Sequence, residues 1–162
     1  AYLAALQDSA TGDVAILRLY RVLEILFAGI YKNEIANADL AKVIALIQFF
    51  QSTSELDTLR RLVDKSTFNF TRFTKTDFDI LFSGHRPQGN YIKIAKWLDD
   101  ATITTLPSHT RAHIIYYLRC ALIHSKMTEK EPFLIGPFSQ KQEEALKHLV
   151  EDMRDIIKDL LF

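Results

Sequence analysis

Residues 13–35, DVAILRLYRVLEILFAGIYKNEI, predict one long helix that is apolar on almost every side. Its polar exceptions Arg18, Arg21 and Glu24 are spaced by three and fall on a single stripe of the helix surface. Asp13 is a candidate N-cap. Because so apolar a helix must hide most of its surface, we expect it at the centre of the fold or in an oligomer interface.

Further helices are predicted after this segment from apolar periodicity and capping residues. The predicted segments are 37–51 with Asn37 as its cap, 53–65, 76–82, 90–100, 108–126 and 139–161. The alternating Phe residues before position 76 also fit a short strand. Ser139 followed by Gln142 matches a capping box. We therefore expect an all-α, single-domain helical bundle of five to six main helices over residues 1–162, with residues 1–12 as an N-terminal extension.

The composition is that of an ordinary globular chain of 162 residues, with 48% apolar and 25% charged residues. The formal net charge is zero, so binding to nucleic acid or to a membrane surface needs a local patch. A single Cys rules out an internal disulfide and fits a reducing compartment, which favours a cytoplasmic location. No segment has the apolar length of a membrane span, so we expect no membrane partner.

Several common functional motifs are missing from the sequence. It contains no glycine-rich phosphate motif, no HExxH, no CxxC and no GxSxG. His109 and His113 share a helix face at a spacing of four, but no third ligand lies near them in the sequence. We therefore expect no metal and no cofactor.

The stretch YYLRCALIHSK, residues 116–126, places polar groups inside an apolar helix. Arg119 can bind a phosphate through two parallel hydrogen bonds, and His124 titrates near neutral pH and suits acid–base chemistry. Such a pair is enough for a metal-free ribonuclease if two copies combine their residues across a two-fold axis. The alternative is structural, because a His near a helix C-terminus is stabilising and Cys120 on an apolar helix is usually core.

Two segments of the chain resemble HEPN domains, a superfamily that includes the Apea-like HEPN families. YLRCALIHSK is similar to the R-x4–6-H signature helix of that superfamily. LYRVLEILF, with Tyr20, Arg21 and Glu24, is similar to the Tyr-Arg-x-x-Glu-like element of the long helix in Apea-like families. The resemblance extends over residues 13–161 as an architecture and is specific at these two helices.

The resemblance implies roles for individual residues of this chain. Arg119 would contact the scissile phosphate and His124 would act as the acid or base. Cys120 stands where the family usually has a polar residue such as Asn. Glu24 would pair with Arg119 and orient it, unless Arg21 and Glu24 form a simple surface pair. Basic residues expected near the cleft are Lys126, His85, Arg86 and Lys93.

The resemblance also implies partners and an activity. Many members of the superfamily are metal-independent endoribonucleases of toxin–antitoxin or phage-defence systems, so we expect RNA as substrate, a homodimer, and a cognate antitoxin or partner protein. A second hypothesis is a non-catalytic HEPN-like module that dimerises or binds protein or RNA within a larger protein; the Cys at position 120 and the neutral charge favour it. A third is a helical domain unrelated to RNA.

Overall fold

The computed structural model describes residues 12–52, 54–82, 90–99, 108–123, 134 and 136–162. All regular secondary structure in these residues is helical, which confirms the predicted all-α class for the described part of the chain. Seven helices are present there, where the sequence predicted five to six main ones. They are α1 Gly12–Ala36, α2 Leu40–Ser52, α3 Glu55–Val63, α4 Lys75–Leu81, α5 Asn90–Asp99, α6 Ser108–Ile123 and α7 Gln140–Leu161.

Local capping fixes where several of these helices begin. The predicted capping box is confirmed at α7, where Ser139 and Gln142 satisfy each other's backbone N–H groups. At the start of α4, Thr74 forms a second capping box with Asp77. The predicted cap Asn37 is wrong: α2 begins at Leu40, and the Asp39 carboxylate accepts from the N–H of Lys42 at 2.9 Å. Asn and Asp are both favourable N-cap residues, so the residue type does not decide between Asn37 and Asp39. The position at which the chain turns before α2 decides it.

Helix α1 lies at the centre of the fold and packs against α7, α3 and α6. Its inward positions Ile16, Leu19 and Leu23 are fully buried. Arg18 and Arg21 of the predicted polar stripe remain exposed. Its apolar surface is therefore covered largely within one chain, as expected for a central helix.

The start of α1 approaches the start of α7 very closely. A Cβ added at Gly12 would lie only 2.6 Å from the Cβ of Leu146, so only glycine allows this approach without a shift. The Gly12 N–H donates to the Glu143 carboxylate at 3.4 Å. The two longest helices are thus joined at one end by backbone contact.

A non-helical segment between α3 and α4 is held against α7 by the buried carboxylate of Asp152. This carboxylate accepts from the backbone N–H groups of Thr71, Arg72 and Phe73, the last at 2.8 Å. Arg72 adds a side-chain contact at 3.2 Å. Since Asp152 has no exposed surface, these donors replace water as its partners.

Asp159, two turns further along α7, fixes the beginning of the same segment. It accepts from the Ser66 hydroxyl at 2.8 Å and from the Thr67 N–H at 2.6 Å. On the other side, the buried guanidinium of Arg111 donates to the carbonyl groups of Phe68 and Ser66. Burial lowers the pKa of Arg111, and the negative charges of nearby aspartates oppose that shift. The segment therefore connects α6 with α7.

Helix α2 contrasts with this central packing. Among the described helices its main packing partner is α1, and Leu40 and Ile44 remain largely exposed. Even so, none of the helices in the described part of the chain combines the length and apolarity needed to cross a bilayer.

We expect Asp152→Ala to lower the free energy of unfolding by about 3 kcal/mol, because three backbone N–H groups lose a buried acceptor. Asp155→Ala is the matched control, since Asp155 is partly exposed and binds the same Arg72 side chain. It should cost less than about 1 kcal/mol. Urea unfolding measures both changes, and equal losses would contradict the role of Asp152.

We expect Asp159→Asn to change how stability depends on pH. Hydrogen bonds from the Ser66 hydroxyl and the Thr67 N–H hold the pKa of Asp159 below its usual value. The carboxylate therefore stabilises the fold above the unfolded-state pKa of about 3.9, and this contribution disappears as the pH falls through the lower folded-state pKa. The stabilities of wild type and variant should differ at pH ~6 and converge as the pH falls through the folded-state pKa of Asp159. A constant difference would count against this assignment.

Candidate active site around Arg119

Arg119 projects from α6 into a junction with α1 and α3. Its Nη2 lies 3.4 Å from Oε1 of Glu55, and its Cζ lies 5.1 Å from the centre of the Tyr20 ring. The Tyr20 hydroxyl donates to the same Glu55 oxygen at 2.7 Å. One carboxylate thus receives a cation and a phenol from two other helices.

The local sequence explains why these groups meet. Tyr20 lies on the buried side of α1, which leaves its ring under α6. Glu55 is the first residue of α3, directly after the N-cap Ser54, where the helix dipole favours an acidic side chain. Arg119 keeps 18% of its side chain exposed, so the guanidinium is fixed by its neighbours without being sealed from solvent.

The charges at this junction are well defined. Burial, the hydrogen bond to Glu55 and the Glu55 charge raise the pKa of Tyr20 far above its usual value, with Arg119 opposing them. Burial alone would lower the pKa of Arg119, but Cys120, Glu55 and Tyr20 together outweigh it and raise that pKa. At neutral pH the site therefore holds a cationic Arg119 and a neutral phenol.

Cys120 extends the junction toward Tyr116 along α6. Nη1 of Arg119 lies 3.8 Å from the Cys120 Sγ, and the thiol is half-buried. Burial, followed by the charge of Cys120 and a hydrogen bond with it, raises the pKa of Tyr116 to about 12. The thiol accepts only weak hydrogen bonds, so it holds Arg119 less firmly than an amide would.

The structure corrects the predicted orientation of Arg119. Glu24 was expected to bind it, but Glu24 pairs with Arg21 at 2.6 Å on the solvent side of α1, and Glu55 binds Arg119 instead. The Arg21 side chain is 73% exposed. The surface pair that the sequence left open is thus present, because residues three apart on a helix are neighbours.

His124 and Lys126 lie outside the described residues, as do His85 and Arg86. Their predicted roles stay predictions. Within the described ranges, Tyr20, Arg119 and Cys120 come together, whereas Arg21 and Glu24 form a separate surface pair.

Sequence reasoning missed Glu55. The available signal was Ser54, an N-cap followed by an acidic residue, which predicts a fixed carboxylate but not its distant partners. The sequence indicated Tyr20 only as part of the Tyr-Arg-x-x-Glu-like element.

Neither the described helices nor the described connections bring three His, Cys, Asp or Glu side chains together in a group that suits a metal ion.

Comparison with known proteins gave no match, whether to protein-family models, to curated proteins or to solved structures.

Double-mutant cycles test which carboxylate Arg119 depends on. We expect Arg119→Met and Glu55→Gln to be coupled by about 1 kcal/mol in the free energy of unfolding, since the pair is partly buried. The same cycle with Glu24→Gln should give coupling near zero. Urea unfolding of the single and double variants supplies the values, and a coupling to Glu24 as large as that to Glu55 would refute the observed pairing.

Proposed function

We propose that this chain is an HEPN-like, metal-independent endoribonuclease of the toxin or phage-defence type that acts as a homodimer. The observation that supports this proposal best is the state of Arg119. It is a permanently charged guanidinium, positioned by two other helices and still partly open to solvent.

A cation held in this way suits an RNA phosphate. Its donors form a planar fork that matches two phosphate oxygens, and stacking on Tyr20 restricts its motion before the substrate arrives. Glu55 contacts it through Nη2 only, at 3.4 Å, and Nη1 has the weak acceptor Cys120. A phosphate can therefore displace weak contacts without leaving Arg119 unrestrained.

The proposed reaction is attack of a ribose 2′-hydroxyl on the adjacent phosphate. His124 takes the hydroxyl proton in one subunit, its counterpart protonates the leaving 5′-oxygen, and Arg119 stabilises the charge that develops on the phosphate. Since the signature segment YLRCALIHSK supplies one His per chain, the reaction requires two copies. The products are a 2′,3′-cyclic phosphate and a free 5′-hydroxyl.

A second candidate is a non-catalytic HEPN-like module that dimerises or binds protein or RNA. It is favoured by the Glu55 carboxylate, which neutralises Arg119, and by the thiol of Cys120 at the usual polar position. In this role the contacts of Arg119 with Tyr20 and Glu55 would hold α1, α3 and α6 together, and Arg119 would not bind a reacting phosphate.

An RNA-cleavage assay in the presence of a chelator decides between these functions. Arg119→Ala and His124→Ala should each lower the cleavage rate by about 100-fold or more, because each removes one part of the proton-transfer and charge-stabilising machinery. The control Arg60→Ala removes an exposed Arg from α3 and should cleave like wild type.

Two further outcomes complete the test. Cleavage that survives His124→Ala would reject the proposed mechanism. A folded dimer that binds RNA or protein but never cleaves RNA would support the second candidate.

A further inference from the structure

A surface formed by α5 and α6 has a charge that differs from the rest of the chain. Although the formal net charge is zero, α6 contains no acidic residue and α5 contains only Asp99. Helix α7, by contrast, carries six acidic residues. Lys93 and Lys96 on α5 are both exposed. Helices α5 and α6 together therefore carry more basic than acidic side chains, and Lys93 and Lys96 are basic groups that they expose.

Aromatic rings lie directly beside these lysines. The Nζ of Lys93 is 5.0 Å from the centre of the Trp97 ring, and Trp97 meets His113 of α6 edge to face at 5.3 Å. Trp97 is only half-buried. An ammonium group over an aromatic face places a phosphate-binding group next to a surface on which a base can stack.

The half-buried residues of α6 continue from this pair toward the candidate active site. His113, Tyr116 and Cys120 share one face of the helix, while Ile114 and Leu118 between them are fully buried. His113 and Arg119 are separated by about 9 Å along the helix axis. A chain molecule lying on this face would thus pass from the α5 lysines to Cys120, whose Sγ lies 3.8 Å from Nη1 of Arg119.

We propose that Lys93, Lys96, Trp97, His113 and Tyr116 form a binding surface for single-stranded RNA that guides the strand toward Arg119. The lysines bind phosphates, and Trp97 and Tyr116 stack on unpaired bases. Unpaired bases are required because a duplex keeps its base faces stacked on one another. The inference takes RNA as ligand from the proposed function but does not require that the RNA be cleaved.

Trp97 provides a direct measurement, because it is the only Trp of the chain. A short oligouridylate titrated into the full protein, with a chelator present, should quench its fluorescence as a base stacks on the ring. A blunt-ended RNA duplex and a polyglutamate peptide serve as comparison ligands. Neither should quench Trp97 fluorescence comparably, because the bases of the duplex are stacked on one another and the peptide has no bases.

Charge variants test the lysines. Lys93→Gln combined with Lys96→Gln should weaken oligouridylate binding about 10-fold, and should reduce the slope of log affinity against log salt by about 1.4 if two phosphate contacts are lost. Lys141→Gln combined with Lys147→Gln makes the same charge change at exposed positions of α7 and should leave binding unchanged.

The outcomes separate this inference from the proposed function. Quenching and lysine-dependent binding without cleavage would uphold the surface and reject the nuclease. Cleavage by wild type together with no Trp97 quenching, or with equal losses in both lysine pairs, would reject the surface and leave the nuclease standing. Equal quenching by polyglutamate would also overturn the inference, because it would show a general anion site.

Discussion

The burial of α1 is the constraint on which the rest of the structure depends. A helix that is apolar around most of its circumference has to be covered, and α7, α3 and α6 together provide that cover. Covering α1 brings helices from the middle and the C-terminal part of the sequence against this N-terminal helix. It also places the Tyr20 ring beneath α6, where it meets Arg119. The candidate site is thus formed by the same helix packing that closes the core.

Arg119 shows how such a core tolerates charge. A guanidinium that is mostly out of water needs compensation, and here the compensation is spread over an aromatic face, a carboxylate and a thiol. None of these contacts is a close bidentate ion pair. The same weakness that limits their contribution to stability leaves the cation able to exchange partners. A fully satisfied Arg in this place would be a purely structural residue.

Local features were predictable from the sequence, and features set by distant contacts were not. The length of α1 and the capping box at Ser139 follow from periodicity and from residues three apart, so a single segment contains the whole signal. The start of α2 was misplaced because Asn37 and Asp39 are equally good caps. Glu55 was missed, and the partner of Glu24 was left open between Arg119 and Arg21, because nothing in the sequence near these residues encodes which helix end will face Arg119. Asp152 was missed for the same reason, since its backbone partners lie about 80 residues earlier.

The hydrogen bonds between Asp152, Asp159 and the segment before α4 have a consequence for synthesis on the ribosome. That segment is translated well before the helix that supplies its acceptors, with separations of 79 and 93 residues for Phe73 and Ser66. The contact between α1 and α7 forms later still, because Gly12 and Glu143 are 131 residues apart. At ordinary translation rates α1 of the nascent chain therefore lacks its α7 cover for on the order of ten seconds. During that interval part of the apolar surface of α1 stays in contact with water, and folding completes only when α7 leaves the exit tunnel.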